Sequence, residues 1–141
     1  MIVSFKKINL LLPVTLILSA CSTKAEFTPG GDELTEAIVG VPYLGKIEIL
    51  GGRVIYLRKD GKVNGSLTPE NSGLRLEYCD IPAWRLSETS GGLKDANCVL
   101  LKGTPVKAGR IKINLHGKFY GNMLFGSDSF SKDFVVQVAD H

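Results

Sequence analysis

The chain has 141 residues, with 17 Lys and Arg against 14 Asp and Glu, for a formal charge of +3 at neutral pH. Two of the basic residues, Lys6 and Lys7, stand ahead of an N-terminal apolar run; beyond residue 20 the balance is 15 to 14, near +1, which makes no case for a nucleic-acid partner. The 121 residues after position 20 suffice for one domain burying roughly two-thirds of its unfolded surface, and 16 glycines among branched and aromatic apolar residues read as strands joined by tight turns.

Residues 1–20 have the three parts of a secretory signal: the positive start at Lys6 and Lys7, an apolar middle, and small residues before a cut. Ile8 to Leu18 has the length of a signal core and falls short of the ~20 apolar residues needed to span a bilayer. Pro13 also interrupts it. The tetrapeptide Leu18-Ser19-Ala20-Cys21 resembles the lipobox of bacterial lipoproteins. That resemblance implies a Cys21 whose sulfur takes a diacylglycerol and whose freed amine takes a further chain. Each buried methylene contributes ~0.8 kcal/mol, so two or three chains hold where one alone anchors only marginally. Ser22, rather than Asp, at the second position of such a mature chain implies the outer membrane. The alternative is an uncleaved signal anchor with an incidental cysteine.

Residues 21–33 include Pro29, Gly30 and Gly31 and lack periodicity, and read as a lipidated tether. The domain then occupies 34–141. Ile38-Val39 and Lys46-Ile47-Glu48-Ile49 pattern as strands, with Pro42 marking an edge or a bend. Gly51-Gly52 breaks that run. Arg53 to Arg58 is expected as the next strand, Lys59-Asp60-Gly61-Lys62 as a hairpin turn, and Val63 to Leu67 as the return. Past the loop at 68–73, Leu74, Leu76 and Tyr78 share one face while Arg75 and Glu77 share the other. Cys79 falls on that second face, in conflict with a buried sulfur unless a bulge intervenes. A polar loop is expected over Ser87–Asn97 and a short strand over Cys98–Leu101. Arg110 to His116 alternates, with Ile111, Ile113 and Leu115 inward; Phe130, Phe134, Val136 and Val138 then line one side of a last strand. No segment has a helical period, and many short strands at regular spacing mean an all-β sandwich.

With Cys21 taken by lipid, Cys79 and Cys98 are left as an even pair in an oxidising compartment. A disulfide between them would close a loop of about twenty residues, for which loop-closure entropy gives ~3 kcal/mol. The spacing is unlike a redox Cys-x-x-Cys motif.

One more similarity concerns the domain. Gly40-Val41-Pro42-Tyr43, Gly73-Leu74-Arg75-Leu76 and Leu101-Lys102-Gly103-Thr104-Pro105-Val106-Lys107-Ala108-Gly109, followed by an alternating strand, resemble bacterial immunoglobulin-like, cadherin-related modules. The resemblance spans residues 36 to 139 and implies a single immunoglobulin-like β-sandwich. It says almost nothing of function, because such sandwiches serve as spacers and binders of many kinds. The segment carrying Cys79 and Cys98 is an insertion relative to that pattern. The clustered Asp and Asn that hold calcium between cadherin repeats are missing, so calcium is not expected.

Chemistry is sparse. His116 and His141 are the only histidines, with no His-Glu-x-x-His spacing, no Walker loop and no Gly-x-Ser-x-Gly elbow. Gly126-Ser127-Asp128-Ser129 reads as a hairpin loop, and Glu70, Glu77, Glu88 and Asp95 as solvated carboxylates. Neither enzyme activity, a metal site nor a cofactor is expected. Recognition is the better expectation. Trp84, between Pro82 and Arg85, is either a core residue on the disulfide or an exposed binding anchor. The segment from Gly117 to Ser131, with Phe119, Tyr120, Met123, Leu124 and Phe125, is either a continued hairpin or a partner-binding edge. Trp84, Phe119, Tyr120 and Phe125 are therefore the candidate partner-binding residues. The sequence reads as a lipid-anchored lipoprotein of the outer membrane, facing the periplasm, with a non-enzymatic binding or accessory module for an envelope protein. The alternative is an inhibitor or immunity-type lipoprotein that blocks a hydrolase.

Overall fold

In the computed structural model the described residues are 24–55, 58–85, 94–121 and 128–140. Eight strands form two four-stranded sheets. β1 (Glu26–Thr28), β3 (Tyr43–Leu50), β6 (Lys94–Gly103) and β5 (Leu74–Asp80) lie side by side in the first. β2 (Ala37–Ile38), β8 (Ser129–Ala139), β7 (Gly109–Lys118) and β4 (Gly65–Thr68) make the second. All neighbours are antiparallel except β2 and β8, which run parallel. The fold is an all-β sandwich.

Alternation builds the core. Ile47 and Ile49 of β3, Leu74 and Tyr78 of β5, and Val99 and Leu101 of β6 face inward from one sheet. Ile111, Ile113 and Leu115 of β7 meet them together with Phe134, Val136 and Val138 of β8. Arg75 and Glu77 pair at 2.7 Å on the outer face of β5, as the side-chain period of two requires.

Four departures from the sequence expectations have physical causes. The expected tether contains β1, because Phe27 packs edge-on against Phe130 and Phe134 with centroids 5.8 and 5.9 Å away. That contact outweighs the neighbouring Pro29, Gly30 and Gly31, and the domain starts well before residue 34. Of the strand expected at Arg53–Arg58, the described part makes only the bridge from Val54 to Phe119. The Asp60-Gly61 turn does form: Gly61 takes φ +72°, and Asp60 accepts from the Lys62 N–H at 3.0 Å. It closes no hairpin, since the chain already lies beside β7 at Val54 and meets β7 again as β4. Lastly, β6 begins at Lys94 rather than Cys98, so the polar residues 94–97 are strand and not loop.

The disulfide Cys79–Cys98 is present, with Cα atoms 5.3 Å apart. Pairing along β5 and β6 jumps from Tyr78–Val99 to Cys79–Asp95, leaving residues 96–98 without partners on β5. The extra residues of this bulge lie on β6, and Cys79 on β5 is half-buried. Cys98 lies opposite Glu48 on the outward face of the first sheet, and is still only 6 % exposed.

Candidate functional site

The two sheets gather several chain ends at one pole. Glu26 pairs with Leu50, Cys79 with Asp95, and Lys118 with Ser129. The start of β1, the ends of β3, β5 and β7, and the starts of β6 and β8 therefore meet there. Beyond β3, the strap at 53–55 is clipped to the end of β7: Tyr120 donates its N–H to the Arg53 carbonyl at 2.9 Å, and Ile55 donates to that of Lys118 at 2.8 Å. Gly52 allows this closeness, since a Cβ there would stand 2.8 Å from the Phe119 ring.

Asn97 holds the strap from the other side. Its Oδ1 accepts from the Val54 N–H at 3.0 Å, and its Nδ2 donates to the carbonyls of Ile49 and Gly52 at 2.8 and 2.7 Å. The bulge in β6 is what points Asn97 there, and Asp95 fixes it by accepting the Asn97 N–H at 2.9 Å. Asn97→Ala is expected to lower folding stability by about 2 kcal/mol, because it strands partly buried backbone groups. Urea unfolding followed by far-ultraviolet circular dichroism measures this, and a change within a few tenths would show that water satisfies those groups.

Strap, bulge and the end of β5 enclose a cleft of about 570 Å³, lined by Arg53, Ile81, Arg85, Lys94, Asn97 and Tyr120 among others. A single 3-10 turn, Ala83–Arg85, closes beside it when Arg85 donates its N–H to the Pro82 carbonyl at 2.9 Å. The turn projects Trp84, which is 83 % exposed. The Arg85 guanidinium lies 5.8 Å from the Trp84 ring, and that of Arg53 lies 5.8 Å from the Tyr120 ring. Lys94 meets Asp80 at 2.6 Å, and this hydrogen bond and charge hold the Asp80 carboxyl below its ordinary range, so it stays ionised at neutral pH. The two guanidiniums and their rings share this pole with Lys94, with Asp80, whose side chain is 80 % exposed, and with Asp95. Across β1, a wider depression of about 900 Å³ is lined by Lys24, Phe27, Asp128 and Lys132 among others, and Lys132 pairs with Asp32.

The structure separates the candidate residues. Trp84 does not pack on the disulfide; it stands in solvent. Tyr120 is 60 % exposed and joins it at the same pole. Phe119 is a correction: at 3 % exposure it belongs to the core, 5.1 Å from the Phe130 ring, and offers no surface. Phe125 and Cys21 lie outside the described residues. His116 is exposed on β7, with its Nδ1 3.2 Å from Asn114 Oδ1. Sequence reasoning passed over Arg53 as a strand residue and Asn97 as a loop residue. Nothing local marks either, because their roles depend on partners far off in the chain, more than forty positions away for Asn97 and at Tyr120, past the end of β7, for Arg53.

Among the described residues no three His, Cys, Asp or Glu side chains gather as a metal site, and no helix is long and apolar enough to cross a membrane. Fold and surface together define a small two-sheet β-sandwich with a pole that presents two exposed rings, each beside a guanidinium. Compared with protein-family models, with curated proteins and with solved structures, the chain finds no match.

Proposed function

We propose that the chain is a bacterial lipoprotein, acylated at Cys21 and held in the outer membrane facing the periplasm, whose immunoglobulin-like sandwich serves as a non-enzymatic binding or accessory module of the envelope. The observation that carries this reading is the join between leader and body. The apolar run behind Lys6 and Lys7 stops at Leu18-Ser19-Ala20-Cys21, and the sandwich is under way by Glu26, five residues after the cysteine. A cut before Cys21 would thus leave every described residue in place.

The strand order supports the immunoglobulin-like type. The first sheet runs β1-β3-β6-β5, the A-B-E-D order of a constant-type sandwich, and β8-β7-β4 corresponds to G-F-C. β2 then continues the first strand across to the second sheet, beside β8. The bridge departs from the antibody arrangement: Cys79 and Cys98 staple adjacent strands within one sheet instead of tying the two sheets together. The pole supports binding over catalysis, because it presents ring faces and cations instead of a nucleophile beside a base.

Cells fed a fatty-acid probe test the reading. The chain is expected to take up label, and Cys21→Ser is expected to abolish labelling and leave the leader attached. Persistent labelling of Cys21→Ser would overturn the assignment.

A further inference from the structure

We infer that the pole carrying Arg53, Trp84, Arg85 and Tyr120 docks on an anionic bilayer surface, the same surface that the lipid on Cys21 enters. The inference rests on the acylation reading and adds to it an orientation and a contact.

Chain length supplies the first argument. Lys24 lies at this pole: its carbonyl would stand 2.4 Å from a Cβ on Gly51, just past the end of β3. Three residue steps from Cys21 to Lys24 reach about 10 Å at full extension. An acyl-Cys21 in the membrane therefore keeps this end of the sandwich beside the headgroups. The opposite pole lies the length of β8 away, about 35 Å for its 11 residues.

Surface chemistry supplies the second. Trp and Tyr settle at membrane–water interfaces, where an apolar ring and a polar edge are both accommodated. Trp84 and Tyr120 are exposed here, and Leu50 at the end of β3 is half-exposed. Arg53 and Arg85 flank the two rings, and among the described residues neither guanidinium has a carboxylate within ion-pair distance. Guanidinium donors match lipid phosphates in charge and geometry. The exposed apolar residues at the far pole, Val41, Leu44 and Val106, are aliphatic and carry no such ring–cation pairs.

Trp84 is the only tryptophan in the chain, so intrinsic fluorescence reports on this pole alone. The experiment uses the full acylated protein, its mass verified, reconstituted into vesicles of phosphatidylcholine with and without phosphatidylglycerol. With phosphatidylglycerol, Trp84 emission is expected to move to the blue, to be quenched by nitroxide-labelled lipid and to lose access to acrylamide. Arg53→Gln and Arg85→Gln are each expected to lower the docked-to-undocked ratio roughly five-fold, the equivalent of about 1 kcal/mol for one arginine at an anionic surface. An acylated protein whose Trp84 stays fully open to acrylamide on both vesicles overturns the docking alone. A chain without acyl groups overturns docking and anchor together.

Discussion

Truncating Phe134 to alanine is expected to cost about 3–5 kcal/mol of folding stability, the largest effect of any single side chain in this domain. Phe134 is 0 % exposed, sits opposite Ile113 in the β7–β8 ladder, and is one of the two rings against which Phe27 of β1 packs. Its loss opens a cavity between the sheets and removes one of the two ring contacts that recruit the first strand. A domain of this size has a total stability of about 5–15 kcal/mol, so the variant approaches unfolding at the warmer end of growth. Phe134→Leu keeps most of the volume and is expected to cost about 1–2 kcal/mol, which keeps the series measurable if the alanine variant fails to fold. Urea midpoints by circular dichroism, with unchanged slope, are the readout. A loss below about 1 kcal/mol for the alanine variant would mean that the core repacks freely around this position.

The importance of Phe134 was readable before any coordinates, and the reason is parity. Phe134, Val136 and Val138 alternate over a long strand, as do Ile111, Ile113 and Leu115, and a period of two leaves little doubt about which side is buried. Phe119 carries the same signal: continuing the inward series through Leu115 and Gly117 lands on Phe119 and leaves its neighbour Tyr120 outside. Gly117 fits that series too, since a Cβ there would press on the Phe130 ring at 2.8 Å. β1 was illegible because three residues are too few to show a period, and Phe27 earns its place only through rings on a distant strand. The polar start of β6 was misread for a related reason. Asp95 and Asn97 are turn-favouring types, and they do fulfil that role, as bulge-formers inside a strand rather than in a loop. Trp84 could be singled out as a lone large aromatic beside Pro82, but whether it faced the bridge or solvent depended on the Pro82–Arg85 hydrogen bond, which sequence does not encode locally.

Opening the Cys79–Cys98 bridge is expected to cost about 3 kcal/mol, since it releases a loop of 19 residues in the unfolded chain. The effect should come from the unfolded state, because β5 and β6 keep their ladder on the C-terminal side of the bulge whether or not the sulfurs are joined. Reduction of the wild type and the double replacement Cys79→Ala with Cys98→Ala should therefore give the same urea midpoint and the same native β spectrum. Adding reductant to the double variant should change nothing. The end of β5 should feel the loss more than the core does, since Ile81 and the turn bearing Trp84 follow directly on Asp80. Hydrogen exchange is then expected to rise at 79–85 in the reduced protein while Ile113 and Phe134 stay protected. If reduction left the midpoint within about 1 kcal/mol of the oxidised protein, the three hydrogen bonds of Asn97 would already be restraining this end of the sheet, and the bridge would be redundant with them.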